Sequence, residues 1–273
     1  MIVDGKALAA QILAEVKVEV DKLLTPPKLT VFTCAPNFET QKFLALKQKR
    51  AREVGVHVEV ISLDPVMLTI EVIRTIHEAL SQTDGVIVQL PFPPTIDIAA
   101  VLLAVPTEFD VDALLYAGTE TNILPPVVGA IDAIATKHHL VWTDKQVVVV
   151  GKGRLVGAPA ALYATYKGAQ VTILEKDTAD YELKIKKADI LILGAGVAGL
   201  VTASMVKPGV VIFDAGTSEE GGMLVGDADT DAQSVASLVT PVPGGIGPIT
   251  IAVLLHNVLQ LALLHSKKTE NML

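Results

Sequence analysis

Short runs rich in Val, Ile and Leu punctuate this chain, and the stretches between them have the length and periodicity of helices. Leu29–Cys34, Val56–Ile61 and Gly85–Leu90 read as strands, with helices over Thr40–Val54, Met67–Leu80 and Ile96–Leu103. Ahead of them Leu8, Ile12, Val16, Val20 and Leu23 mark an amphipathic first helix that Thr25-Pro26-Pro27 ends. A second series follows Pro125-Pro126: Gln146–Val150, Gln170–Leu174, Ile190–Leu193, Val210–Phe213 and a short run at Leu238–Thr240. Strands that alternate with helices build βαβ units and a parallel sheet. With 51% hydrophobic but only 4% aromatic residues, the core is aliphatic, as buried parallel strands require. The 273 residues suffice for two domains. The boundary is expected near Ala117–Pro126, giving 1–121 with 250–273 as one domain and 122–249 as the other. A last helix from Thr250 to about His265 is expected to pack back on the first domain, with Ser266–Leu273 frayed.

A net charge of −8 argues against a broad basic face for nucleic acid. The single cysteine, Cys34, sits in a strand-like run and reads as a buried, inert thiol; no intrachain disulfide can form. Six scattered histidines offer no pair at ligand spacing, so no metal site is expected. Met1–Lys6 leads into no apolar signal segment. The apolar tract Ile249–Leu264 is interrupted by His256, Asn257 and Gln260 and reads as shorter than the roughly 18–20 residues of a membrane span. A soluble, cytoplasmic protein without a membrane partner is the expectation.

Two glycine motifs compete for a dinucleotide. Gly151-Lys152-Gly153-Arg154-Leu155-Val156-Gly157 follows the strand QVVVV and opens a helix, which suits a pyrophosphate at a helix N-terminus. Gly194-Ala195-Gly196-Val197-Ala198-Gly199 fits G-x-G-x-x-G better, and Asp214 ends the next strand. A dinucleotide fold needs several strands after its first glycine loop, and only the motif at Gly151 has them. Gly151–Gly157 is therefore taken as the pyrophosphate site and Gly194–Gly199 as a later strand-to-helix turn near the ligand. Glu175, after the strand that follows, is placed to bind ribose hydroxyls and to repel a 2′-phosphate; Lys152, Arg154 and Lys176 lie close enough in sequence to counter it. A solvated strand-end glutamate is the plain alternative. The stretch Thr240–Thr250, TPVPGGIGPIT, is too rich in proline and glycine for a helix or central strand. Such a rigid loop, bare of side chains, suits a flat ligand against the main chain.

Several of these strings, in order, resemble the bifunctional methylenetetrahydrofolate dehydrogenase/cyclohydrolase family. Val3-Asp4-Gly5-Lys6 is similar to its opening, and Gly85–Pro93 to its G-I-L-V-Q-L-P-L-P strand and loop. Phe109-Asp110-Val111-Asp112 resembles K-D-V-D, and Gly151–Pro159 resembles G-R-S-x-x-V-G-x-P. Gly226-Asp227-Ala228-Asp229 resembles G-D-V-D, and TPVPGGIGPIT is almost the family string. The resemblance implies an α/β folate-binding domain, a Rossmann domain, a cleft between them and a homodimer. It implies oxidation of 5,10-methylenetetrahydrofolate with NADP, or with NAD in some members, and hydrolysis of the methenyl product to 10-formyltetrahydrofolate. Lys47 matches the catalytic lysine, Gln89 the glutamine that orients it and Asp112 the aspartate that grips the pterin. Phe43, Pro91, Pro243, Gly244 and Gly245 fall at substrate positions. Gly151, Lys152, Gly153, Arg154, Gly157, Glu175, Lys176, Gly194 and Gly216 fall at cofactor positions.

The chain departs from the family at several points. Phe43 replaces a tyrosine one helical turn before Lys47, which is expected to weaken cyclohydrolase more than dehydrogenase turnover. Ala113 replaces a glycine, so the loop is expected to avoid positive φ. Gly153 replaces a serine and Glu175-Lys176 a His-Ser pair that helps hold a 2′-phosphate, while Leu124-Pro125-Pro126-Val127 departs from C-T-P-R/K-G. NAD therefore stands open beside NADP. A dehydrogenase-only, NAD-linked member and a non-catalytic folate- or nucleotide-binding subunit are the alternatives; retention of Lys47, Gln89 and Asp112 argues against the second.

Overall fold

The structure, a computed structural model, describes residues 1–270. Its contacts divide the chain into two compact units, Gln11–Leu115 with Ile251–Leu273, and Met1–Ala10 with Tyr116–Thr250.

The first of these carries most of α1 (Gly5–Val20), then β1 (Lys28–Cys34), α2 (Phe38–Val54), β2 (His57–Leu63), α3 (Thr69–Ala79), β3 (Gly85–Gln89) and α4 (Ile98–Leu103). The strands form a parallel sheet in the order β2-β1-β3. Phe32, Val72, Ile76, Val86, Val88 and Val101 pack in one buried cluster of strands and helices. Cys34 is buried there too. Beyond α4 the chain returns along the free edge of β3: the Val86 amide donates to the Phe109 carbonyl and the Val111 amide to the Val86 carbonyl. That pairing brings the D-V-D segment to the strand that ends in Gln89.

The second unit opens with α5 (Pro126–Lys137), whose first residue is a proline that needs no hydrogen-bond partner for its nitrogen. It continues through β4 (Gln146–Val150), α6 (Gly157–Tyr166), β5 (Gln170–Leu174), α7 (Tyr181–Lys187), β6 (Ile190–Leu193) and β7 (Val211–Asp214). The hairpin of β8 (Ser218–Glu220) and β9 (Met223–Val225), the short α8 (Thr230–Val235) and β10 (Leu238–Val239) complete it. Its sheet is parallel, in the order β10-β7-β6-β4-β5, so the strand before Gly151 lies inside the sheet with strands on both sides. The fully buried runs of β4 and β6 account for their unbroken valine, isoleucine and leucine. Met1–Ala10 belong to this unit because Ile2 bridges Val239 and the Val3 amide donates to the Val239 carbonyl. This corrects the expected domain of 1–121 for its first ten residues.

The last helix, α9, runs from Ile246 to Glu270. It begins ahead of the expected Thr250, inside the stretch read as too rich in proline and glycine for a helix, because Pro248 falls in the first turn, where its nitrogen needs no partner. The expected fraying from Ser266 does not occur through residue 270; residues 271–273 lie outside the described residues. Over Ile246–Lys267 it is long and apolar enough to cross a membrane, contrary to the sequence estimate, yet most of that length is buried inside the fold. Its interrupting Asn257 has a structural use: fully buried, it donates from Nδ2 to the Val111 carbonyl at 2.9 Å. An apolar replacement leaves that carbonyl without its amide donor. Asn257→Leu is therefore expected to lower stability by about 1–3 kcal/mol in urea unfolding; a stability equal to wild type would mean the bond carries no weight.

Candidate active site

Lys47 is buried because of where it falls on α2. Thr40, Leu44, Lys47, Ala51 and Val54 form the buried stripe of that helix, spaced three or four residues apart. The Asn37 side chain caps the N-terminus through the Thr40 amide, and Gly55, at φ 83°, closes the C-terminus. Lys49, Arg50 and Arg52 fall off the stripe and are exposed, as solvated charges should be. Lys47 itself is only 7% exposed.

The Lys47 Nζ donates to Gln89 Oε1 at 2.8 Å, and Gln89 in turn donates from Nε2 to the Leu90 carbonyl at 3.2 Å. Gln89 is the last residue of β3, directly before the Leu90–Pro91 peptide, which is cis. The amide partner carries no charge, so burial lowers the pKa of the amine from the usual lysine range; Asp112 opposes that fall through its charge. Burial raises the Asp112 carboxyl in turn, against the pull of Lys47. Phe43 lies one helical turn before Lys47, its ring 5.6 Å from the amine and 47% exposed, and so presents an open apolar face. Lys47, Gln89, Asp112 and Phe43 thus converge in one unit, with Pro91 two residues past Gln89.

Asp110 shapes the loop that presents Asp112. Its buried carboxylate accepts from the amides of Asp112 at 3.1 Å and Leu114 at 2.6 Å, and its carbonyl accepts from the Ala113 amide. Burial, only partly offset by these amides, pushes its pKa up to about 6. This tight turn forces Ala113 to φ 49°. The expectation that alanine here avoids positive φ is thereby corrected: the carboxylate holds the amides on either side, and the backbone adopts the left-handed form despite the Cβ.

The other unit holds the glycine-rich residues. Gly151, at φ 92°, leaves β4, and α6 begins at Gly157. A Cβ at Gly157 would fall 2.0 Å from the Gly151 carbonyl oxygen, so the loop folds on itself without room for a side chain. Around Gly153, by contrast, there is open space, and Lys152 and Arg154 beside it are exposed. Glu175 and Lys176 are exposed just past β5, with the Glu175 amide bonded to Thr178 Oγ1. A bare, self-packed glycine turn at a helix start, flanked by exposed charges, fits a dinucleotide pyrophosphate. Pro243, Gly244 and Gly245 also belong to this unit; Gly244 has φ 106°, and a Cβ on Gly5 would overlap the Gly245 carbonyl oxygen.

The second glycine motif differs from its expected form. No helix follows Gly194–Gly199, only a 3-10 turn at Ala203–Met205. The amides of Ala195, Gly196 and Val197 turn instead to the Asp227 carboxylate. Asp214, which by pattern could have held a ribose, is buried and bonded to main-chain amides. Neither acid was singled out for this role from sequence. The only signal was their presence in glycine-rich strings, with nothing to show that residues some thirty positions apart would meet.

Residues 3–112 match the family described as tetrahydrofolate dehydrogenase/cyclohydrolase, catalytic domain, and residues 125–266 match its NAD(P)-binding domain. The bifunctional protein FolD of Methanospirillum hungatei is 38% identical over 96% of this chain and 97% of its own length. Among solved structures, the bifunctional FolD of Campylobacter jejuni superposes with a TM-score of 0.93 at 31% identity, covering 97% of this chain and 99% of that one. The methylenetetrahydrofolate dehydrogenase-cyclohydrolase of Trypanosoma brucei, solved with NADP and an inhibitor, gives a TM-score of 0.90 at 29% identity, covering 97% and 98%.

The Ala113 turn generates a test of the local geometry. Ala113→Gly relieves a left-handed alanine, offset by the greater freedom of glycine in the unfolded chain, and is expected to raise stability by about 0.5–1 kcal/mol. Equal or lower stability in thermal and urea unfolding would place the left-handed turn elsewhere.

Proposed function

Because the chain belongs to the tetrahydrofolate dehydrogenase/cyclohydrolase family, we propose that it oxidises 5,10-methylenetetrahydrofolate to the methenyl cation and hydrolyses that cation to 10-formyltetrahydrofolate. The observation that carries this reading is the buried Lys47 amine held at 2.8 Å by the neutral Gln89 amide. A cationic substrate beside this amine disfavours its protonated form further. The neutral amine then takes one proton from water as the water oxygen bonds to the methenyl carbon; the resulting tetrahedral adduct collapses to the formyl group when its C–N5 bond breaks, the hydroxyl proton passing to N5. Asp112 offers a carboxylate to paired N–H donors of a pterin ring, and the half-exposed Phe43 offers a face to its aromatic tail.

Gly151, Lys152, Gly153, Arg154 and Gly157 would hold the dinucleotide, with Gly194 and Gly216 nearby in the same unit. When bound, its nicotinamide supplies the hydride acceptor, and oxidation needs no protein base. Between NADP and NAD two sets of charges pull in opposite directions: Glu175 favours free ribose hydroxyls, whereas Lys152, Arg154 and Lys176 favour a 2′-phosphate. The family resemblance supports a homodimer, for which we propose a cytoplasmic location.

The test is reduction of NADP and of NAD, in parallel, by purified protein with 5,10-methylenetetrahydrofolate, together with hydrolysis of the methenyl compound. Reduced cofactor is expected with at least one dinucleotide, and its absence with both would refute the dehydrogenase. Phe43→Tyr is expected to raise the ratio of cyclohydrolase to dehydrogenase activity by supplying the missing hydroxyl to the lysine network. An unchanged ratio would mean that the phenol is dispensable.

A further inference from the structure

Asp214, at the end of β7, and Asp227, just past β9, form a nested pair. Asp214 Oδ1 accepts from the amides of Gly216 at 3.0 Å and Asp227 at 3.2 Å, and Oδ2 accepts from the Ala228 amide at 2.9 Å. The strand end thereby fastens Asp227 and Ala228. Asp227, wholly buried, reaches across to the second glycine loop, where Oδ2 accepts from Ala195 at 2.7 Å and Gly196 at 3.2 Å while Oδ1 accepts from Val197 at 2.8 Å. The carboxylate fits only because residue 216 is glycine: a Cβ there would fall 2.0 Å from its carboxyl carbon. The backbone runs alongside as well, with the Gly199 amide on the Gly226 carbonyl and the Val201 amide on the Asp227 carbonyl.

Successive main-chain amides that converge on one anion are what backbone nests offer to phosphates. Here the chain's own carboxylate takes that place, through charge-assisted bonds stronger than those between neutral groups. The loop so held backs the first glycine loop. A Cβ at Gly151 would fall 2.7 Å from the Gly194 carbonyl oxygen, and one at Gly194 would fall 2.5 Å from Val156 Cγ1. The Gly194 amide also bonds to the Val150 carbonyl, immediately before Gly151. We propose that Asp227 is a positioning residue for the dinucleotide, a built-in anion that holds Gly194–Val197 against Gly151–Gly157 and leaves the first loop as the phosphate site. This rests on the reading of Gly151–Gly157 as the pyrophosphate loop.

Calorimetric titration of NADP and NAD into wild type, Asp227→Asn, Asp227→Ala and Gly216→Ala tests it, alongside the KM for methylenetetrahydrofolate and thermal unfolding. Asp227→Asn keeps the shape but turns an amide N–H toward main-chain donors, and Gly216→Ala drives the carboxylate from its place. Each is expected to weaken dinucleotide binding by about tenfold, the equivalent of one charge-assisted hydrogen bond, with the folate KM nearly unchanged. In Asp227→Ala, added formate is expected to occupy the vacated amides and recover dinucleotide affinity, while chloride at equal ionic strength does not. Unchanged dinucleotide affinity in Asp227→Asn and Gly216→Ala would overturn the proposal. So would parallel loss of folate and dinucleotide binding without formate rescue, which marks a purely structural acid. Wild type that binds neither dinucleotide would instead overturn the pyrophosphate reading on which the proposal stands.

Discussion

A charged group taken out of water must find a partner, and the kind of partner decides what the group can do. Removal of a carboxylate or an ammonium from water costs several kcal/mol even after relaxation. Asp110, Asp214 and Asp227 meet this with main-chain amides, which are fixed in direction and cannot titrate. They fasten loops: burial leaves Asp110 and Asp214 with pKa values pushed up to about 6, but their bonds set the path of the chain. Lys47 meets a neutral side-chain amide instead, which holds the amine in place without stabilising its charge as a carboxylate would. The same physical problem thus has a structural answer in three places and a chemical one in the fourth.

Neither kind of answer works without the elements beneath it. Lys47 is aimed inward because it shares the stripe of Leu44 and Ala51 on a helix capped at both ends. Gln89 is held by the ladder of β3 on β1, where it lies opposite Thr33. Asp112 arrives through the return of the chain along β3, and Asp110 then turns the backbone tightly enough to leave Ala113 left-handed. In the other unit, contact between the two glycine loops requires that both lack side chains where they meet.

The sheet strands were legible from short Val/Ile/Leu-rich runs bounded by turn residues, and β4, β5 and β6 span Gln146–Val150, Gln170–Leu174 and Ile190–Leu193. The strand order that separates the two glycine motifs was legible, since β5, β6, β7 and β10 all follow Gly151 whereas only β7 and β10 of that sheet follow Gly194. The burial of Lys47 was not visible in KQKRARE, where charge density masks a stripe built on small and apolar neighbours. Asp227 stayed hidden because its partners lie in another loop, and the Ala113 turn because its cause is the carboxylate of Asp110. The β8–β9 hairpin also went unread, though its Gly221-Gly222 corner, with φ 58° and 80°, carries a recognised turn signal. Local patterns thus disclosed the elements, whereas the contacts that give the acids and the amine their roles are long-range.

Lys47 is an amine kept out of water by a neutral partner and thereby made available as a base. Its titration can be followed directly, by NMR of the lysine ε-carbon in selectively labelled protein, with a Lys47→Met variant to assign the signal. The account predicts a midpoint clearly below the value of about 10.4 for a free lysine side chain, and a further fall in Gln89→Leu, where the hydrogen bond that helps hold the charged form is lost as well. A Lys47 midpoint at or above the free value would contradict it, for then Asp112 would outweigh burial and the residue would be a charged anchor.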